Sequence, residues 1–300
     1  MPENEGISRW SPWRKATGAP RSAPAQCANR ECARRQPMWN GLFGKMQGVE
    51  TNLGWFCCPD CFEQALSSSL AQHLRRSKRV ETPSLHRMPL GLLMLERETI
   101  TEDQLQKSVA MMKATGLRIG DCMRRIAGLN EDAVTQAVAA QWGAPVFPLT
   151  SIDASLAGMI PLALLEKYQM LPVHLGQYGK KMYVGFCQGV DYSALYGIEQ
   201  LMDCTTEACI IAGSSWTEVI EERQSGAGWS DVVVESRATT AEIARMTRSY
   251  AQQLEARTIR FAAVGDYLWA RILGRSSLNL LYHRHSNGRN DVDELKVDPR

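Results

Sequence analysis

The stretch "RIGDCMRRIAGLNEDAVTQAVAAQ", from Arg118 to Gln141, decides how the central part of this 300-residue chain is organised. It begins with a basic residue and a glycine, continues with apolar residues at helical spacing, and ends on a polar glutamine. Asn130, followed by Glu131 and Asp132, is typical of the start of a second helix, because an Asn side chain caps free N–H groups and acidic residues favour a helix N-terminus. The pattern predicts a pair of short helices.

The chain contains an earlier copy of this pair. Leu90-Gly91 and Ile119-Gly120 are 29 residues apart, and the positions that follow keep this spacing. The matched positions are Met94 with Met123, Ile100 with Leu129, Thr101 with Asn130, and Leu105 with Val134. Two short amphipathic helix pairs bury little apolar surface alone, so we expect the copies to pack together as a four-helix module over 88–145.

The duplicated pair resembles the N-terminal domain of type II secretion and type IV pilus assembly ATPases, the MshE/GspE N-terminal type. The family repeat reads R-L-G, a hydrophobic stretch, a glycine turn and L-x-x-x-L-x-x-Q. Further along, "MIPLALLEKYQMLPV" and "KKMYVGFCQGVD" resemble the α/β part of the same domain, which we expect over 146–223. The resemblance therefore covers about residues 88–223.

The resemblance implies that cyclic di-GMP is the ligand of this module. In the family, arginines, the R-L-G backbone and the closing glutamines meet the ligand. A guanidinium offers a planar fork to phosphate oxygens or guanine acceptors, and a glutamine both donates and accepts hydrogen bonds. The positions of this chain that match the motif are Leu90 and Gly91 in the first copy, and Arg118, Ile119, Gly120 and Gln141 in the second.

The first copy departs from the motif at its two polar positions. It has Pro89 where the motif has arginine and Met112 where the motif has glutamine, so half of the polar ligands are missing. Two hypotheses stay open. In the first, the module senses cyclic di-GMP. In the second, it is a degenerate scaffold with Arg118 on the surface and Gln141 capping a helix end.

Five of the nine cysteines crowd between Cys27 and Cys61. In a chain without an export signal, such clustering favours a metal site over a disulfide framework. The spacings Cys27-x4-Cys32 and Cys58-x2-Cys61 suit tetrahedral zinc, and we choose Cys58 over its neighbour Cys57 because x2 spacing closes a knuckle. Four thiolates leave no open coordination position, so the zinc would be structural. The alternative is five free thiols or a redox cluster.

Composition limits the partners. The formal net charge is only +2, which argues against extensive electrostatic binding to the phosphates of nucleic acid. No apolar run approaches the length needed to cross a bilayer, and the N-terminus has no apolar signal core. We therefore expect a cytoplasmic protein without membrane insertion.

The expected fold class is α+β multidomain, with a small zinc-binding ribbon or treble-clef unit, the four-helix module, a small α/β domain and a short α/β C-terminal segment. The expected boundaries are a disordered tail over 1–25, the zinc-ribbon-like unit over 26–75, a basic linker over 76–87, the helical module over 88–145, the α/β subdomain over 146–223, a second linker over 224–237, the C-terminal segment over 238–285 and a loose tail over 286–300.

The motor of the family ATPases has no counterpart in the sequence. No G-x-x-x-x-G-K-[ST] occurs, so no P-loop is expected to hold ATP, and no other catalytic constellation stands out. The sequence predicts a non-catalytic regulator or adaptor that docks on secretion or pilus machinery proteins or on another signalling protein. The alternative is a nucleic-acid-associated zinc-ribbon regulator with the basic run Arg75–Arg79 on phosphate, against which the small net charge argues.

Overall fold

The computed structural model describes residues 26–35, 48–77, 87–148, 152–225, 231–234 and 238–283. The tails expected over 1–25 and 286–300 and most of the basic linker over 76–87 lie outside these ranges. The described residues form helices and two sheets, which confirms the predicted α+β class. None of the helices within these ranges is long and apolar enough to cross a membrane.

Nine α-helices and nine strands lie within the described ranges. The helices are α1 (Pro59–Ser77), α2 (Leu90–Glu96), α3 (Glu102–Thr115), α4 (Ile119–Ala127), α5 (Glu131–Trp142), α6 (Leu162–Tyr168), α7 (Tyr192–Met202), α8 (Gly213–Ser225) and α9 (Thr240–Gln253). The strands are β1 (Val49–Thr51), β2 (Gly54–Phe56), β3 (Met170–Leu175), β4 (Lys181–Phe186), β5 (Thr205–Ile210), β6 (Asp231–Val234), β7 (Thr258–Val264), β8 (Tyr267–Leu273) and β9 (Ser277–His283).

The described residues divide into two compact units. One consists of residues 87–225, and the other combines 26–77 with 231–283. The cysteine unit and the C-terminal segment, which the sequence predicts as separate, share one sheet in the structure. The physical reason is size: β1 and β2 are three residues each, and an isolated two-stranded hairpin is marginally stable at best.

The joined unit is built on a six-stranded sheet of order β2-β1-β7-β8-β9-β6. β1 runs parallel to β7, and β7, β8 and β9 form an antiparallel meander. β6, which lies within the linker expected over 224–237, pairs parallel with β9 at the edge. The helices α1 and α9 share one buried core with the sheet, to which Phe62, Leu66, Ile243 and Phe261 contribute.

The duplicated helix pair forms as two equivalent hairpins, α2–α3 and α4–α5. Thr101 caps α3 by accepting from the Gln104 N–H at 3.3 Å, and Asn130 caps α5 by accepting from the Ala133 N–H at 2.8 Å. The four helices share a buried core that contains Met94 and its counterpart Met123, together with Ile100 and Ala137. The 29-residue spacing therefore corresponds to a structural repeat.

The glycines of the two copies have the same packing role. A Cβ at Gly91 would lie 2.5 Å from Leu105 Cδ1, and a Cβ at Gly120 would lie 3.0 Å from Val134 Cγ1. Leu105 and Val134 are themselves counterparts in the repeat. In each copy the glycine thus lets the first helix approach the second closely, independently of any ligand.

The α/β part contains a three-stranded sheet of order β3-β4-β5, antiparallel between β3 and β4 and parallel between β4 and β5. The stretch "PVFPL" has the pattern of a first strand, and in its described part, 145–148, the structure has an isolated bridge between Val146 and Ile210. Two adjoining elements position the site described next: the loop after β4 carries Cys187 and Gln188, and α8 begins at Gly213.

Candidate functional site: a polar pocket and a thiol cluster

A pocket of about 320 Å³ opens on the second copy of the helix pair. It includes five of the six residues that the motif singles out. Those five are Leu90, Arg118, Ile119, Gly120 and Gln141. The sixth, Gly91, is not among the lining residues and packs against Leu105 instead. The rest of the lining comes from α4, α5, the loop after β4 and the start of α8.

Arg118 immediately precedes α4 and is exposed to solvent at the edge of the pocket. Its Nη2 lies 2.7 Å from the Gln188 side-chain oxygen, in the amide orientation that satisfies both Gln188 atoms. Burial raises the pKa of the neighbouring Cys187 thiol to about 12 against the opposing effect of the Arg118 charge. That thiol therefore stays protonated at neutral pH, and the pocket has an anchored positive charge without a thiolate nucleophile.

Gln141 lies in the last turn of α5 and donates from Nε2 to the Met88 carbonyl at 2.8 Å. This bond leaves the side-chain oxygen of Gln141 as an acceptor on the pocket wall. The next residue, Trp142, is stacked under Arg87, whose Cζ is 3.7 Å from the ring centroid. Arg87, although close in sequence to the missing arginine of the first copy, is not among the lining residues of the pocket.

Several charged and polar residues of the pocket are not predicted from the sequence. Asp121 lies three positions after Arg118, and Arg124 lies three positions after Asp121 on α4, so the i, i+3 spacing of neighbouring pairs contained that signal. Gln188 joins the site from a distant loop, and nothing in its local sequence indicates this position.

Glu131, another lining residue, has a structural role. Its Oε1 accepts from the Ser214 N–H at 3.1 Å and its Oε2 accepts from the Ser214 hydroxyl at 2.6 Å, which ties α5 to the start of α8. Burial acts to raise the pKa of Glu131, but the Ser214 hydrogen bonds and the Arg124 charge outweigh it, so the pKa is below the ordinary value. The carboxylate is 3.7 Å from Arg124 Nη1.

Four sulfur atoms form a cluster in the other unit. The Sγ atoms of Cys27, Cys32, Cys57 and Cys61 all lie within 4.8 Å of one another. Cys57 Sγ is 3.7 Å from Cys32 Sγ and 3.6 Å from Cys61 Sγ. Four thiolates at about 2.3 Å from a zinc ion lie about 3.8 Å apart in a tetrahedron, whereas a disulfide needs about 2.05 Å. The donor set and its spacing fit a structural zinc ion.

The structure brings Cys57 into this cluster, whereas the sequence analysis chooses Cys58. Cys58 immediately precedes α1, and its carbonyl accepts from the Phe62 N–H at 3.1 Å. Its thiol interacts with the backbone N–H groups of Cys61 and Asp60, and the Cys61 hydrogen bond is the largest cause of its lowered pKa. Cys58 thus occupies the N-cap of α1. Pro59, a residue favoured at the first helical position, was the sequence signal for this.

The first pair of thiols lies on a tight turn. The Cys27 N–H donates to the Arg34 carbonyl at 2.8 Å, and the Cys32 N–H donates to the Asn29 carbonyl at 2.9 Å. A hydrogen bond from the Arg34 backbone lowers the pKa of the Cys32 thiol, and burial raises the pKa of Cys61 to about 11. The raised pKa keeps the Cys61 thiol protonated at neutral pH, so metal binding at this sulfur would release a proton.

Comparison with known proteins agrees with the expected resemblance. No protein-family model matches the chain. Over 148 residues the chain is 24% identical to the type IV pilus assembly ATPase PilB of Myxococcus xanthus (strain DK1622). The chain resembles the N-terminal domains of pilus and secretion ATPases. The match covers 48% of this chain and 26% of PilB, so the chain spans about a quarter of the length of this curated relative.

Solved structures give similar matches. A structure of MshE with cdg is 23% identical, with a TM-score of 0.38, and the match covers 45% of this chain and 99% of that one. A structure of the N-terminal domain of XpsE is 14% identical, with a TM-score of 0.33, and the match covers 44% of this chain and 91% of that one.

Proposed function

We propose that this chain is a non-catalytic recognition module that binds cyclic di-GMP in the pocket of its second helix pair and a structural zinc ion in its thiol cluster. The observation that carries the first half is the pocket lining. Residues singled out by the family motif, including Arg118 and Gln141, lie around one cavity together with Gly120. The sequence similarity to PilB supports comparing this chain with the motif of the pilus and secretion ATPases.

The chemistry of the lining suits a nucleotide. Arg118 and Arg124 provide two guanidinium groups for phosphate oxygens, and charge-assisted bonds of this kind are the strong ones. The Gln141 side-chain oxygen and the Asp121 carboxylate are acceptors for the N–H groups of a base. Leu90, Ile119 and Val134 supply apolar surface for its faces.

Calorimetric titration of the full chain with cyclic di-GMP tests this proposal. Arg118→Ala should weaken binding by about tenfold or more, because a hydrogen bond to a charged group contributes about 1.5–3 kcal/mol. Arg125→Ala is the matched control, since Arg125 is an exposed arginine of the same helix that is not among the lining residues. Absence of binding heat in the wild type, or equal losses in the two variants, would contradict the proposal.

The zinc proposal rests on the cluster of Cys27, Cys32, Cys57 and Cys61. Metal analysis of the purified chain should find about one zinc per chain, as expected for four thiolate ligands in one tetrahedral site. Cys57→Ser should lose the metal. Cys58→Ser is the matched control and should keep it, because serine is a good N-cap for α1. Loss of zinc from Cys58→Ser with retention in Cys57→Ser would reverse the ligand assignment.

The proposed partners are proteins of the secretion or pilus machinery, because the relative PilB is a type IV pilus assembly ATPase. The described surface includes exposed aromatic side chains at Tyr192 and Tyr196, one turn apart on α7, which suit a protein contact. Cross-linking in the native host followed by mass spectrometry tests this. Cross-links that recover no component of such machinery would contradict the docking proposal.

A further inference from the structure

The two copies of the helix pair differ in the polar side chains that they offer to a ligand. Each polar side chain that α4 and the end of α5 contribute to the pocket has a counterpart 29 residues earlier. The counterparts are Pro89 for Arg118, Leu92 for Asp121, Leu95 for Arg124 and Met112 for Gln141. Three charged positions and one amide are thus apolar in the first copy.

The first copy contributes almost nothing to the pocket. Among its described residues, Leu90 alone belongs to the lining. Leu92 is 49% exposed to solvent, and Leu95 packs against the core that the two copies share. Glu102 and Gln106, the counterparts of the lining residues Glu131 and Thr135, hydrogen-bond each other at 3.3 Å on the exposed side of α3. Within the helical module, the polar side chains of the pocket lining therefore come from the second copy.

The second copy offers a further guanidinium at the pocket. Arg124 is a lining residue whose side chain is 40% exposed, with Nη1 3.7 Å from the Glu131 carboxylate. A guanidinium on the pocket wall provides donors for a ligand acceptor such as a phosphate oxygen. Asp121 lines the same pocket, and a carboxylate offers acceptor oxygens without a donor.

These groups match one guanylate. The N1–H and N2–H groups of guanine donate together to a carboxylate such as that of Asp121, whereas adenine has an acceptor at N1. The guanidinium groups of Arg118 and Arg124 match the phosphate. The cavity of about 320 Å³ is at the small end of the roughly 300–1,000 Å³ that is usual for ligand pockets.

We propose that the pocket recognises a single guanylate. Cyclic di-GMP then binds through one of its two guanylates only, and GMP binds about as tightly as cyclic di-GMP. Cyclic di-GMP is a twofold-symmetric ring of two guanylates, and its second half would face the apolar first copy without polar partners. This inference rests on the proposed function, because it uses the same pocket.

Titration of the full chain with cyclic di-GMP, linear pGpG, GMP and AMP tests the inference. The dissociation constants of the three guanylates should agree within about tenfold, and AMP should bind at least about tenfold more weakly. Cyclic di-GMP that binds more than about tenfold tighter than GMP would overturn the inference and leave the proposed function intact. No binding by any of the four would instead contradict the proposed function.

A gain-of-function variant sharpens the test. Pro89 has φ −53° and ψ 139°, close to the φ −71° and ψ 149° of Arg118, so arginine fits its backbone. Pro89→Arg combined with Met112→Gln should raise the affinity for cyclic di-GMP by about tenfold or more and leave that for GMP unchanged, because the second guanylate gains a charged partner. Equal rises in affinity for cyclic di-GMP and for GMP would overturn the inference that the first copy faces the second guanylate of cyclic di-GMP.

Circular dichroism of the double variant against the wild type checks that the helices are retained.

Asp121→Asn provides the complementary loss, since an amide donates as well as accepts. It should lower the affinity for GMP by about tenfold while that for AMP stays within about threefold. An equal loss for the two nucleotides would overturn the role of Asp121 in recognising guanine.

Discussion

The two helix pairs have the same packing and different surfaces. Met94 and Met123 occupy equivalent places in one core, and Gly91 and Gly120 make equivalent close approaches. Four polar residues of the pocket do not repeat: Arg118, Asp121, Arg124 and Gln141 line the pocket in the second copy and are replaced by apolar residues in the first. The difference teaches that the apolar spacing of this repeat determines the fold, and that the residues lining the pocket can change without changing that spacing.

The largest expected effect tests the equivalence of the cores. Met94→Ala and Met123→Ala should each lower the free energy of unfolding by about 2–5 kcal/mol, because both side chains are fully buried and truncation leaves a cavity. Hydrogen exchange of the α2–α5 amides in the full chain measures the change. A much smaller loss for Met94→Ala would show that the first copy contributes little to the shared core.

Met88→Ala is the control for this comparison. The Met88 side chain is 47% exposed, so its truncation should change the stability by less than about 0.5 kcal/mol. The Gln141 hydrogen bond goes to the Met88 backbone carbonyl and survives the substitution. A loss as large as that of the buried methionines would mean that the exchange measurement does not report core packing.

Local signals explain most of what the sequence predicts. The caps Thr101 and Asn130 and the periodic methionines lie within one or two helical turns of the residues that they affect, so reading them needs no knowledge of the fold. α6 (Leu162–Tyr168) and α7 (Tyr192–Met202) form within the α/β part expected over 146–223.

The features that the sequence does not predict depend on distant contacts. Asn52 lies in the turn between β1 and β2. Its side chain donates to the Phe261 carbonyl at 2.6 Å and accepts from the Phe261 N–H at 3.0 Å, which joins the β1–β2 hairpin to β7. No local pattern indicates a partner so far along the chain. Gln188 reaches Arg118 for the same reason, through the packing of the loop after β4.

The choice between Cys57 and Cys58 shows a conflict between two local rules. Knuckle spacing favours Cys58 with Cys61, whereas helix capping assigns Cys58 to the N-terminus of α1, just before Pro59. In the structure the Cys58 thiol interacts with the backbone N–H groups of Cys61 and Asp60 as well as with the Cys61 and Cys57 thiols, while the four sulfurs that lie within 4.8 Å of one another include that of Cys57.

The glycines give a smaller effect that separates the copies. Gly91→Ala should destabilise the module by about 1–2 kcal/mol, since the new Cβ would lie 2.5 Å from Leu105 Cδ1 and this overpacking outweighs the helix preference of alanine. Gly120→Ala should be close to neutral, because its contact of 3.0 Å with Val134 Cγ1 needs only a small adjustment and alanine favours a helix by about 1 kcal/mol over glycine. Urea unfolding of the full chain measures both, and a larger cost at Gly120 would reverse the ranking of the two contacts.

The smallest effect concerns the caps, the polar residues that do repeat. Asn130→Ala should cost about 1 kcal/mol, because the Asn130 side chain caps α5. Thr101→Ala should cost about 0.5 kcal/mol, since the capping box keeps the bond from the Thr101 N–H to Gln104 Oε1. Asn130→Asp should restore stability, and neither cap variant should alter nucleotide affinity by more than about twofold. A cap variant that abolished binding without loss of stability would place that residue in recognition and break the division between fold and ligand positions.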